Sequence, residues 1–171
     1  MKSVLISIQP KWVEKIANGK KTIEVRKTAP KQVPFKCYIY CTKTRDNEIY
    51  KRYKVDDIKS GKVIGEFVCD KVFLLHPYTY DGGNADRERR KLIQTFEGSS
   101  KENEILAATC LTQDEMFDYI GAGNYGYGWH ISDLKIYDKP KELSEFFTPM
   151  GKRPSYMVER PPQSYMYVEE L

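Results

Sequence analysis

Histidine is nearly absent: there are two in 171 residues, and neither sits among cysteines at the spacing of a zinc site. The four cysteines, Cys37, Cys41, Cys69 and Cys110, form no CxxC pair, so no metal knuckle or redox dithiol is encoded. Cys37 and Cys69 fall within apolar, strand-like runs, and the set reads as reduced, mostly buried thiols. No Walker loop and no GxGxxG turn occurs, so no bound cofactor is implied. No stretch approaches the roughly 18 uninterrupted apolar residues of a membrane span. The opening MKSVLISIQPKW carries a shorter apolar run than the roughly 7 to 15 residues of a signal peptide. The expected location is therefore the cytoplasm, with no membrane partner. There is no internal repeat.

What is present is a charged, strand-rich chain of one-domain size. Hydrophobic residues make up 40% and charged residues 30%, a balance that supports a buried core without staples. The net charge of +4 hides an asymmetry: residues 1–62 hold 16 Lys and Arg against 6 Asp and Glu, whereas residues 63–171 hold 12 against 18. A basic third of this kind suits either a phosphate-bearing partner or an ordinary lysine-rich solvated surface.

Periodicity locates the elements. SVLISI (3–8) reads as a strand, and Pro10 follows where a helix accepts proline. Trp12, Val13, Ile16 and Ala17 share one helical face, and Gly19 is placed to end that helix in the left-handed conformation. KTIEVRK then alternates, with Ile23 and Val25 on one side and Thr22, Glu24 and Arg26 on the other. FKCYIYCT (35–42) is a third strand. Residues 43–60 are polar and basic and read as an exposed insertion. KVIGEFVCDKVFLL (62–75) is a long run of strand formers in which Gly65 marks a bulge or a close backbone approach.

Residues 77–103 read as a second polar insertion, a long loop with one helix near 85–96. Thr112 and Glu115 have the spacing of a capping box, with Leu111 and Met116 as its hydrophobic staple, so a helix is expected over 113–120, stopped at Gly121. In YGWHISDLKIY the apolar parity switches near Ser132 and Asp133, the mark of a bulge. SYMYVEEL supplies a last strand. The sum is a strand-dominated α+β domain of about six strands and two or three short helices. A small closed barrel would hide the edges of so many short strands.

Several side chains carry usable chemistry. Glu24 and Arg26, two apart on one strand face, stand roughly 7 Å from each other. They can pair with one another, or split a ligand between a planar guanidinium fork and a carboxylate able to accept from an amino group. Lys21 is suited to contacting phosphate without any change in its proton affinity; as a base or nucleophile it would need one, from desolvation or from a neighbouring cation such as Lys20. Tyr125, Tyr127, Trp129 and His130 follow a glycine-rich turn and could stack on a nucleobase, although Trp129 and His130 also fit purely structural roles. Glu66, among Ile64 and Val68, is either paired inside or turned towards a ligand.

Taken in order, the first strand, the helix with Trp12, the string Gly19-Lys-Lys-Thr-Ile-Glu-Val-Arg26, the GKVIGEF strand and the YGWHI strand resemble the ASCH domain, a branch of the PUA-like superfamily. The most specific part is G-x-K-T-x-E-x-R, held by Gly19, Lys21, Thr22, Glu24 and Arg26. The RPPQSYMYVEE ending resembles that of phage and bacterial ASCH proteins. The resemblance implies a small β-barrel with a cleft beside the first helix that binds RNA or nucleotides. The string places Lys21, Thr22, Glu24 and Arg26 at that cleft; Lys20, Ser7, Trp12, Glu66, Tyr127, Trp129 and His130 are further candidates to line it, with core packing the favoured alternative for Trp12. One relative is an amidohydrolase of N4-acetylcytidine that uses a Lys, a Thr and a Glu. Its lysine corresponds to Lys21, the threonine position is occupied here by Glu24, and Glu104 is the nearest candidate for the glutamate. Another relative is a metal-dependent ribonuclease, the one case in which a divalent metal would be required. A phage-type accessory role, binding another protein through the tyrosine- and proline-rich tail, is a third reading.

Overall fold

The computed structural model describes residues 2–43, 60–81, 89–97, 99–151 and 153–171. The chain divides into two compact units, one made of Met1–Gly19, Pro34–Asp70 and Ile131–Leu171, the other of Lys20–Val33 and Lys71–His130. Among the described residues no helix is long and apolar enough to cross a membrane.

The first unit is built on a five-stranded sheet of β1 (Lys2–Ile8), β3 (Phe35–Cys41), β4 (Val63–Cys69), β8 (Ser132–Lys141) and β9 (Tyr165–Glu169). Their spatial order is β8-β4-β3-β1-β9, with β1 and β3 parallel and the other pairs antiparallel. Both faces of β3 are covered: Cys37, Ile39 and Cys41 are buried, and so are Tyr38 and Tyr40 between them. That double burial is why β3 reads as a nearly continuous apolar run. Helix α1 (Pro10–Ala17) begins with proline at its first turn and ends on Gly19, whose φ is +68°, as its sequence requires. Val13 and Ile16 are its buried face. Gly65 is needed because a Cβ there would lie 2.5 Å from the Lys135 carbonyl oxygen of β8. The register between β4 and β8 shifts beside it. The tyrosine-rich ending contains β9, whose Val168 is fully buried in the unit's core, so this segment is part of the sheet.

The second unit holds a four-stranded sheet of β2 (Ile23–Arg26), β7 (Gly126–His130), β5 (Val72–Asp81) and β6 (Arg89–Thr95), in that spatial order. Helices α2 (Ser99–Ala108) and α3 (Gln113–Ile120) complete it. Ile23, Val25, Phe73, Leu75 and Ile93 from one face of the sheet pack with Ile105, Leu106, Met116 and Ile120 from the helices. Thr112 and Glu115 form the full capping box at the start of α3, and Gly121 ends it.

Among the described residues nine strands stand where six were expected, for three physical reasons. The run 62–75 is two strands, because Asp70 and Lys71 interrupt it and its halves join different sheets. The parity switch near Ser132 is likewise a change of sheet between β7 and β8, with Asp133 at φ +48°. An aspartate tolerates that left-handed turn. The helix expected near 85–96 is wrong over its described part: residues 89–95 are β6, paired with β5 from Leu75↔Thr95 to Asp81↔Arg89. Cross-strand pairing with an aromatic partner strand has overridden the helical propensity of a charged run. The helix belongs instead to 99–108. The described strands pair as two open sheets where a single closed barrel was expected. Residues 44–59, the bulk of the first expected insertion, lie outside the described residues.

Candidate functional site

The G-x-K-T-x-E-x-R string ends in a buried ion group of the second unit. Glu24 sits on β2 with its two carboxylate oxygens engaged separately: Oε2 lies 3.3 Å from Lys21 Nζ and Oε1 lies 2.9 Å from Arg26. Lys21 is 2% exposed, Glu24 7% and Arg26 6%. Groups this deep require partners, and Lys21 has a further one in the Thr109 carbonyl, to which it donates at 2.6 Å. That carbonyl is held by the turn between α2 and α3. Thr109 Oγ1 donates to the Leu106 carbonyl and accepts from the Leu111 amide, and Cys110 adopts φ +56°. The same turn clasps the start of β2: the Thr22 amide donates to Ala108 at 3.0 Å, and the Cys110 thiol donates to the Lys20 carbonyl at 3.2 Å.

Burial lowers the proton affinity of Lys21 below the ordinary lysine value, and the Glu24 carboxylate opposes that effect without cancelling it. The result is two cations around one carboxylate, an arrangement that favours a further anion or, through Lys21, an accessible neutral amine. Tyr119 of α3 extends the group. Its side chain is hydrogen-bonded to Arg26, while burial raises the proton affinity of its phenol. Lys27 lies over the Tyr119 ring at 5.2 Å.

Strand register decides which aromatic residues share the Glu24 face. Glu24 is opposite Trp129 and Arg26 is opposite Tyr127 on β7, so those four side chains point the same way. Trp129 is fully buried and has no surface to offer a base, whereas Tyr127 is half-buried. His130 is opposite Ile23, on the core side, where its ring meets Phe73 edge-on at 6.3 Å. Lys20 is exposed and Thr22 half-buried. Glu104 is exposed on α2; the acid of that helix that bonds the sheet is Glu102, which accepts from the Thr95 amide.

Ser7, Trp12 and Glu66 belong to the first unit. Ser7 donates to the Pro162 carbonyl at 2.6 Å, and the Trp12 ring carries Lys11 and Lys15 at 4.3 and 5.0 Å. Glu66 accepts from Tyr137 at 2.5 Å and faces Lys36 at 3.9 Å. This unit also carries a groove of about 1000 Å³ lined in part by Ser7, Tyr40, Lys43, Glu142 and Gln163, to which Lys21, Glu24 and Arg26 contribute nothing. All four cysteines are free, and burial pushes the Cys41 thiol up to about 12. Among the described residues, no group of three or more His, Cys, Asp or Glu is placed to hold a metal ion.

Thr109 and Tyr119 are the contributors that the sequence reading missed. Thr109 is 88 residues from Lys21, and it acts through its backbone carbonyl, which leaves no trace in residue type. Tyr119 sits in the helix announced by the capping box, but nothing in that box aims it at Arg26.

A strand-dominated α+β fold of this topology defines a class, and solved structures share that fold. No family model matches the sequence, nor does any curated protein. The crystal structure of ASCH from Zymomonas mobilis is similar with a TM-score of 0.60 and 16% identity, over 98% of this chain and 88% of that one. A tyrosine-to-phenylalanine mutant of the Zymomonas mobilis protein gives 0.56 and 17% over 99% and 92%. A serine-to-alanine mutant gives 0.56 and 17% over 98% and 89%. The chain therefore has the ASCH fold.

Proposed function

We propose that the chain binds RNA or a nucleotide through the Lys21, Glu24 and Arg26 group of its second unit. The observation that carries this reading is the charge count at that group: two buried cations share one carboxylate, which leaves positive charge for a phosphate to neutralise. Half-buried Tyr127, in register with Arg26, adds a ring beside that charge, as recognition of an unpaired base requires. The basic first third of the sequence supports the same class of partner. Fluorescence anisotropy with short labelled RNA and with mononucleotides tests it. Binding is expected to weaken steeply with salt, and to fall about tenfold or more in Arg26→Ala while Arg26→Lys retains part of it. Equal affinity in wild type and in a folded Arg26→Ala protein would sink the proposal.

A second reading, hydrolysis of an acylated nucleoside of the N4-acetylcytidine type, draws on one specific observation: burial makes Lys21 easier to deprotonate, and a neutral amine beside a carboxylate is equipped to attack or to move protons. It predicts release of acetate and cytidine by wild type and none by Lys21→Met or Glu24→Gln. Turnover that survives both substitutions would exclude these residues as catalysts.

A further inference from the structure

The sheet face that carries Glu24 and Arg26 continues across β7 and β5. Trp129 is in register with Val72 and Tyr127 with Leu74, so by alternation His76, Tyr78 and Tyr80 follow on the same face of β5. Tyr125, immediately before β7, falls opposite His76. These side chains emerge progressively from the buried end: Tyr127 is half-buried, Tyr78 is 37% exposed, Tyr125 48% and Tyr80 55%.

Three of the rings are already stacked. His76 lies against Tyr125 with centroids 5.0 Å apart and planes inclined at 29°, and against Tyr78 at 6.5 Å and 22°. Exposed tyrosines are common, but a column of three near-parallel rings on a sheet face is a shaped surface. Its flat outer members, Tyr125 and Tyr78, suit another flat aromatic ring. The inner gaps are too narrow to admit a base, so stacking takes place on the ends of the column. A flat partner with an anionic backbone also fits the charge: Arg26 ends β2, the edge strand at one side of the sheet, and Lys27 follows it.

We propose that the Tyr125, His76 and Tyr78 column is a base-stacking platform for a single-stranded nucleic acid whose backbone runs from the Lys21, Glu24 and Arg26 group across β7 and β5. This rests on the preceding reading of that group as a nucleotide site and extends it from one nucleotide to a strand of several. Because stacking needs no particular base edge, the platform is tolerant of sequence.

The test compares a mononucleotide, an eight-residue RNA, the same length of DNA and an eight-residue abasic backbone, on wild type, Tyr78→Ala with Tyr125→Ala, and the ring-preserving Tyr78→Phe with Tyr125→Phe. Wild type should bind the RNA octamer more tightly than the mononucleotide. The double alanine protein should lose roughly 5- to 100-fold on the octamer, in line with the strength of base–aromatic stacking. The double phenylalanine protein should retain the wild-type affinity. The abasic strand should bind wild type no better than the octamer binds the alanine protein, and the RNA-to-DNA ratio identifies the natural strand. Equal octamer binding by wild type and the alanine protein, with Arg26-dependent mononucleotide binding intact, overturns the platform and leaves the nucleotide site standing. Failure of every ligand on wild type overturns both. Capture of a folded protein with no nucleic-acid binding would assign the face to a protein partner and also overturn it.

Discussion

Glu24→Gln isolates the charge balance of the buried group with almost no change of shape. Its carboxylate is the shared partner of Lys21 and Arg26, all three under a tenth exposed. Removing one member of a buried ion pair costs about 3–5 kcal/mol, because the remaining charge is left uncompensated. Here the glutamine oxygen still accepts one hydrogen bond, and Lys21 keeps the Thr109 carbonyl, so a loss near the lower end, about 3 kcal/mol, is expected. For a chain of this size that lowers Tm by about 6–12 °C. Urea denaturation at pH 7 should show a reduced midpoint with an unchanged slope. The carboxylate also raises the proton affinity of Lys21. Its removal makes Lys21 still easier to deprotonate, so the gap between variant and wild type should narrow as the pH climbs towards 10. Adding Lys21→Met to Glu24→Gln should recover part of the loss, since it removes one stranded cation. A loss below about 1 kcal/mol, the worth of an exposed pair, would refute the claim that these charges are buried and interdependent.

Other perturbations follow from the same geometry. Lys21 has a folded-state proton affinity below its ordinary 10.5, so in the interval beneath 10.5 the unfolded chain binds more protons there and wild-type stability gains as pH rises. Lys21→Met lacks that gain, and urea midpoints of the two proteins that run parallel from pH 7 to 10 would contradict it. Tyr137→Phe removes a half-buried bond to Glu66 and should cost about 1 kcal/mol by thermal melting. Burial followed by that bond raises the Tyr137 phenol, so in an ultraviolet titration it should ionise at higher pH than the exposed tyrosines. Gly65→Ala drives a Cβ to 2.5 Å from the Lys135 carbonyl; at least about 2 kcal/mol should be lost, and a neutral substitution would refute the tight approach of β4 and β8. Half-buried Cys110 should react with a thiol reagent at pH 8 well before Cys41, which burial pushes up to about 12, as stepwise labelling followed by mass analysis would reveal.

Local signals in the sequence carried much of the fold. Pro10 and Gly19 bracket α1, Thr112 and Glu115 open α3, and the alternation of KTIEVR fixes β2, because each depends on neighbours a few residues away. The errors lie where long-range pairing decides. Asp70 and Lys71 look like two polar residues in a strand until β4 and β5 are found in different sheets. Residues 89–95 are strand because β5 offers them a partner, and the same pairing displaces the expected helix to 99–108. For the site, spacing brought Lys21, Glu24 and Arg26 together in advance, and register added Tyr127. The same rules could not separate Ser7, Trp12 and Glu66 from them, nor foresee a backbone carbonyl at Thr109. Tyr78 lies in the stretch 77–103 that reads as loop and His76 just ahead of it, and only the pairing of β5 with β7 and β6 puts the two on one sheet face.

The central claim is that a nucleotide or RNA docks at the Lys21, Glu24 and Arg26 group, and amide chemical-shift mapping during titration with a mononucleotide tests it most directly. Saturable shifts should concentrate at residues 20–27, 109–110 and 127, and should need about tenfold more ligand, or more, in Arg26→Ala. Shifts that are absent, or confined to the groove lined by Ser7, Tyr40 and Gln163, would contradict the claim.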